Sequence, residues 1–77
     1  MPDRGNLESA RRHLQLSVMD LWIAYFALGG LYDANHLDRY LRGAATSSDH
    51  DHNIIVHALN ETFTDRGQNS PIPYRNH

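Results

Sequence analysis

Residues 17–30 read Ser-Val-Met-Asp-Leu-Trp-Ile-Ala-Tyr-Phe-Ala-Leu-Gly-Gly, and the fold turns on this stretch. Ser17 is a good N-cap, because its hydroxyl can accept from a backbone N–H that the first helical turn leaves unpaired. Asp20 stands three residues on, where a capping-box acid belongs, and Leu16 and Leu21 occupy the two positions of a hydrophobic staple. Gly29 marks the end, since helices commonly stop at a left-handed residue that glycine adopts without steric cost. A helix over 18–28 is expected.

That helix is apolar on two sides. Between Val18 and Leu28 only Asp20 is charged. Leu21, Trp22, Tyr25 and Leu28 form one stripe, while Met19, Ile23 and Phe26 form another on the opposite side. A helix apolar all round must be covered all round. Either it is the central helix of a compact bundle, or one stripe is a surface for self-association or for a partner. Met19, Trp22, Ile23, Tyr25 and Phe26, with Tyr32 and Tyr40 nearby, are the candidate contact residues, of the aromatic and methionine types that interfaces favour.

The same start and stop signals recur outward from this segment. Asp33 can cap, Tyr32 and Leu37 form a staple pair, and Leu37, Tyr40 and Leu41 give a helical apolar stripe that Gly43 ends after Arg42, so the next helix is expected over 34–42. Ser48 or Thr46 opens a third, over 49–66, with Asp49 and Asp51 in the first turn where acids favour the helix dipole. Its core stripe is Ile55, Ala58, Leu59 and Thr62, widened by Ile54 and Phe63, and Gly67 stops it. Upstream, Asn6 is a candidate cap for a short helix over 7–15 with Leu7, Ala10 and Leu14 on one face. Residues 68–77, with Pro71 and Pro73, should be extended. They form either a strap that packs Ile72 and Tyr74 on the helices or a free linear motif. The expected fold is an all-α domain over residues 1–67, a three-helix bundle that becomes four-helix if the N-terminal segment folds, followed by an extended Pro-containing tail.

Composition narrows the function. Seventy-seven residues make one domain at most. The absence of cysteine removes disulfides and thiolate metal sites, so a partner subunit is the natural supplement to a small core. Net charge is -2, and all seven cations are arginine. Arg11, Arg12, Arg39 and Arg42 are the candidate nucleic-acid contacts, and helix–Gly-Gly–helix invites comparison with a helix-turn-helix. The helix after Gly30, however, opens Asp33-Ala34-Asn35-His36, and the third opens with aspartates that would face phosphate badly. Arg11 and Arg12 before an apolar run superficially suggest an export signal. That run is short, contains Asp20 and lacks a nearby cleavage site. It also falls short of the about 20 residues a bilayer span requires. A cytoplasmic location without membrane association is expected.

Six histidines raise the question of a metal. His50 and His57 share a stripe but lie about 10 Å apart at 1.5 Å per residue, too far to chelate one ion. His52, His57 and Glu61 are the weak candidates. Usable pairs such as His57–Glu61 supply two ligands where a closed zinc site needs four. No metal or cofactor is therefore expected, and the histidines are assigned to a solvated face. No serine sits in a glycine-flanked elbow, and Gly29-Gly30 follows a helix where a dinucleotide loop follows a strand. The sequence thus reads as a small non-enzymatic interaction or regulatory module, adaptor-like. It is expected to self-associate as a homodimer, or to bind a protein partner, through 18–28. The alternative is a nucleic-acid-binding transcriptional regulator, and after it a His/Asp metal-binding protein.

Overall fold

The computed structural model describes the backbone of residues 3–68 and of residue 72, with side chains from residue 7. Among the described residues four helices follow one another: α1 (Asp3–His13), α2 (Val18–Ala27), α3 (Ala34–Leu41) and α4 (Asp49–Asp65). The starts of the last three are set by side-chain caps. Ser17 Oγ accepts from the Asp20 N–H at 3.0 Å, Asp33 Oδ1 from the His36 N–H at 2.8 Å, and Ser48 Oγ from the Asp51 N–H at 3.2 Å. Each cap satisfies a donor that the helix itself cannot. The N-terminal segment folds as well, and α1 begins upstream of Asn6, which lies within it.

All four helices end in the same way. The N–H two residues past the C-cap reaches back five residues, and the preceding N–H makes the tighter companion bond, three residues back. In α2 these bonds run from Gly30 to Tyr25 O and from Gly29 to Phe26 O. In α1 they run from Leu16 to Arg11 O and from Gln15 to Arg12 O. This Schellman closure needs a left-handed residue. Gly29 provides it after α2, whereas α1 uses Gln15 at φ 57°, the one non-glycine with positive φ among the described residues.

α2 packs on α4 and α3, and α1 packs on α3 and α4; α1 makes no comparable contact with α2. The core comprises Leu7, Ala10 and Leu14 from α1, Leu21 and Tyr25 from α2, Leu37, Tyr40 and Leu41 from α3, and Ile55, Val56, Ala58, Leu59 and Phe63 from α4. Two details of α4 differ from the apolar periodicity. Val56 is buried, and Thr62 is half-buried, its hydroxyl bonded back to Ala58 O at 3.1 Å. Ile72 is buried too, and its carbonyl accepts from Asn60 Nδ2 at 3.0 Å. Pro71, Pro73 and Tyr74, and with them the course expected for 68–77, lie outside the described residues. Among the described residues no helix is long and apolar enough to cross a membrane.

The left-handed Gln15 yields a prediction. A side chain there costs roughly 1 kcal/mol or more that glycine avoids, partly offset by glycine's greater freedom in the unfolded chain. Gln15→Gly should stabilise the domain by about 0.5–1 kcal/mol, seen in thermal unfolding as a rise of roughly 2–8 °C.

Candidate interaction surface

Which stripe of α2 faces inward is decided by polar chemistry. Hydrophobicity would serve either way. Tyr25 is fully buried, and its hydroxyl donates to Asp51 Oδ1 in the first turn of α4 at 2.7 Å. The same oxygen accepts from the Leu31 and Tyr32 N–H groups at 3.0 and 2.9 Å. One donation and two acceptances exhaust a phenol. Asp51 Oδ2 accepts from the Ser48 hydroxyl at 2.9 Å, and Oδ1 lies 3.3 Å from the Leu31 nitrogen. A carboxylate with only 4% of its residue surface exposed is thus held by three donors from three parts of the chain. Burial alone would raise its pKa. The Tyr25 hydroxyl, the Ser48 hydroxyl and the Leu31 N–H together outweigh burial and hold it below the ordinary value of 3.8. Burial pushes the Tyr25 phenol the other way, up to about 12.

The loop between α2 and α3 is built around this pair. Gly30 lies so close to the Tyr25 ring that a Cβ on it would overlap the ring atoms. The two glycines therefore do different work: Gly29 supplies the left-handed turn, and Gly30 supplies room. Tyr32 ties the loop together with every polar group it has. Its N–H goes to Tyr25, its carbonyl accepts from the Trp22 indole N–H at 2.9 Å, and its hydroxyl accepts from the Ser48 N–H at 3.2 Å.

With Leu21 and Tyr25 pinned inward, the opposite stripe points out. Met19, Ile23 and Phe26 are 53%, 55% and 58% exposed, and Leu31, just past the helix, is 80% exposed. Trp22 flanks the stripe half-buried, with its ring stacked on Phe26 at 5.1 Å between centroids. The stripe carries no charge. Asp20 lies to one side of it, and no lysine or arginine occurs between residues 13 and 38.

The seven candidate contact residues therefore separate. Met19, Ile23 and Phe26 form the exposed surface, and Trp22 and Tyr32 lie at its edge. Tyr25 and Tyr40 are buried and are not available to a partner. The Tyr40 hydroxyl sits 2.7 Å from His52 Nδ1, and both rings are enclosed. This corrects the expectation that the α4 histidines lie on a solvated face: His50 and His57 do, whereas His52 is a core residue, as is Asp51 beside it in the first turn. Their partners stand 12 and 26 residues away, beyond the reach of any helical spacing rule. The signal available in the sequence was Ser48-x-x-Asp51, the same pattern as Ser17-x-x-Asp20, whose acid stays exposed.

The arginines offered for nucleic acid are largely engaged with acids. Arg11 donates to both Glu8 oxygens, at 2.7 and 2.9 Å, and to Leu16 O at 2.7 Å. These bonds lower the Glu8 pKa and raise that of Arg11. Arg12 also reaches Glu8, at 3.3 Å, and Arg42 pairs with Asp38 at 3.1 Å; Arg39 is exposed. Of the metal candidates, His57 and Glu61 face each other at 3.5 Å on the surface while His52 is buried against Tyr40. No group of three or more potential ligands forms among the described residues. An open groove of about 380 Å³ lies beside Leu28, lined by His50, Asn53, Ile54 and His57. Comparisons of the chain with known protein families, with curated proteins and with solved structures find no match.

The Tyr25–Asp51 pair predicts a pH dependence at both ends. The folded carboxylate binds its proton less tightly than the unfolded one, so its contribution is complete above 3.8 and lost as pH falls through the lower folded value. The folded phenol binds its proton more tightly, so its contribution is complete below 10 and lost as pH rises towards about 12. Tyr25→Phe strands the Tyr32 N–H, leaves the Leu31 N–H only its longer bond to Asp51 and takes the shortest donor from a buried carboxylate, so denaturant titration should show a loss of about 2–4 kcal/mol. The variant should also lack the alkaline limb above pH 10 that Tyr25 contributes.

Proposed function

We propose that this chain is a small non-enzymatic protein–protein interaction module, regulatory or adaptor-like in action, and that it makes its contact through the outward face of α2. The observation that carries the reading is the uncharged stripe of Met19, Ile23 and Phe26, each more than half exposed on a helix whose other side is already committed to the core. Exposed apolar side chains scattered singly are normal; three in register along one helix, with an aromatic pair at the edge, are what interaction surfaces concentrate. Covering the exposed half of each contributes about 1 kcal/mol per side chain, or roughly 3 kcal/mol of the affinity.

The shifted titratable groups support a non-enzymatic role. The Tyr25 hydroxyl already makes all the hydrogen bonds it can, and Asp51 is enclosed with it, so neither has spare capacity to move a substrate's proton. The arginines lend little to the nucleic-acid alternative, since Arg11 is held by Glu8 with little exposure and the exposed Arg12 and Arg42 each lie beside a carboxylate that offsets their charge.

Ile23→Asp tests the reading. At an exposed position the change should leave far-UV circular dichroism intact and shift stability by about 0.5 kcal/mol or less. Used as bait in native cell extract beside the unaltered chain, it should lose what the unaltered chain retains. Unfolding of the variant would make Ile23 a core residue, and equal retention by both baits would remove α2 from the contact.

A further inference from the structure

We propose that the α2 face is occupied by a second copy of this chain, its own α2 docked antiparallel across a two-fold axis near Trp22 and Ile23, so that Met19 of each protomer meets the partner's Phe26. The inference rests on the reading of this face as a contact surface and goes on to name what covers it.

Charge is the first argument. Anionic lipid and nucleic acid are both recognised through cations at the rim of the contact, and the chain has no lysine or arginine from residue 13 to residue 38. A second copy needs no opposite charge, provided that like charges are kept apart. Asp20 is the only charge on α2, so the orientation of the pair decides the matter. Parallel packing would set Asp20 beside its own copy. Antiparallel packing about the midpoint of Met19 and Phe26 displaces the two aspartates by five residues, about 7.5 Å along the axis, and leaves each beside uncharged side chains.

The order of residues along the stripe is the second. Met19 and Phe26 stand seven residues apart, about two turns, with Ile23 between them and Trp22 beside it. Reversed against itself, the stripe brings a thioether to an aromatic ring at both ends and Ile23 to its copy at the centre. Sulfur–aromatic contacts are favourable, and an isologous interface requires this kind of self-complementarity. Trp22 is held by its indole bond to Tyr32 and stacked on Phe26, so the aromatic half is already ordered before docking.

Area sets the strength. The stripe with its Trp22 edge offers on the order of 400 Å² of apolar surface per protomer, about half the roughly 800 Å² per partner of a standard stable complex. A contact of that size places the dimer among weak, reversible associations.

Sedimentation equilibrium on the full chain from about 5 to about 500 μM should show the mass rising from one protomer towards two, with Ile23→Asp or Met19→Asp folded and weakening the association at least tenfold. Because the chain has no cysteine, disulfide trapping reads the orientation. A mixture of Met19→Cys and Phe26→Cys should cross-link several-fold faster than either variant alone. Faster like-with-like trapping would overturn the antiparallel arrangement, and a dimer unaffected by both aspartates would place the contact elsewhere. A strict monomer at the highest concentration would remove the second copy. The broader reading of the face as a contact surface would then still be decided separately, by the Ile23→Asp bait.

Discussion

The hydrogen bond from the Tyr25 hydroxyl to Asp51 constrains more of this small domain than any apolar contact does. Burying a carboxylate is expensive unless donors satisfy it, and here α2, the α2–α3 loop and the α4 cap supply them together. The contributors depend on one another, because losing any one leaves a buried polar group short of a partner. It therefore fixes three things at once: the rotation of α2 about its axis, the path of residues 29–32, and the start of α4. Apolar packing alone could not fix the first of these, since a core accepts either of two greasy stripes if volume and shape are similar.

That degeneracy explains what the sequence disclosed and what it concealed. The helices were legible because their ends are local. Ser17, Asp33 and Ser48 bond N–H groups three residues on, and Gly29, Gly43 and Gly67 each close a helix with bonds that reach back no more than five residues. The termination of α1 was not, because Gln15 adopts the left-handed turn that composition assigns to glycine. The candidate surface was legible only as two alternatives. Met19, Ile23 and Phe26 could be grouped by spacing, but the bond that turns them outward joins residues 26 apart.

The polar core was missed for the same reason. Asp51 and His52 lie in a first helical turn, a place where acids and histidines are ordinarily solvated, and only their tyrosine partners bring them inside. In the sequence Tyr25 and Tyr40 fall among the candidate contact residues, because a tyrosine suits an interface as readily as a core. Their hydroxyls make the difference, each meeting a buried polar group on α4.

The account rests on α2 presenting two apolar faces of opposite fate, and thiol accessibility on dilute single-cysteine variants tests this most directly. Cysteine at positions 19, 23 and 26 should react with a maleimide at close to the rate of the unfolded chain, while cysteine at position 21 should react at least about 100-fold more slowly, through global opening alone. Equal protection at positions 21 and 23 would mean that the protomer covers both faces of α2 itself, and the account would be wrong.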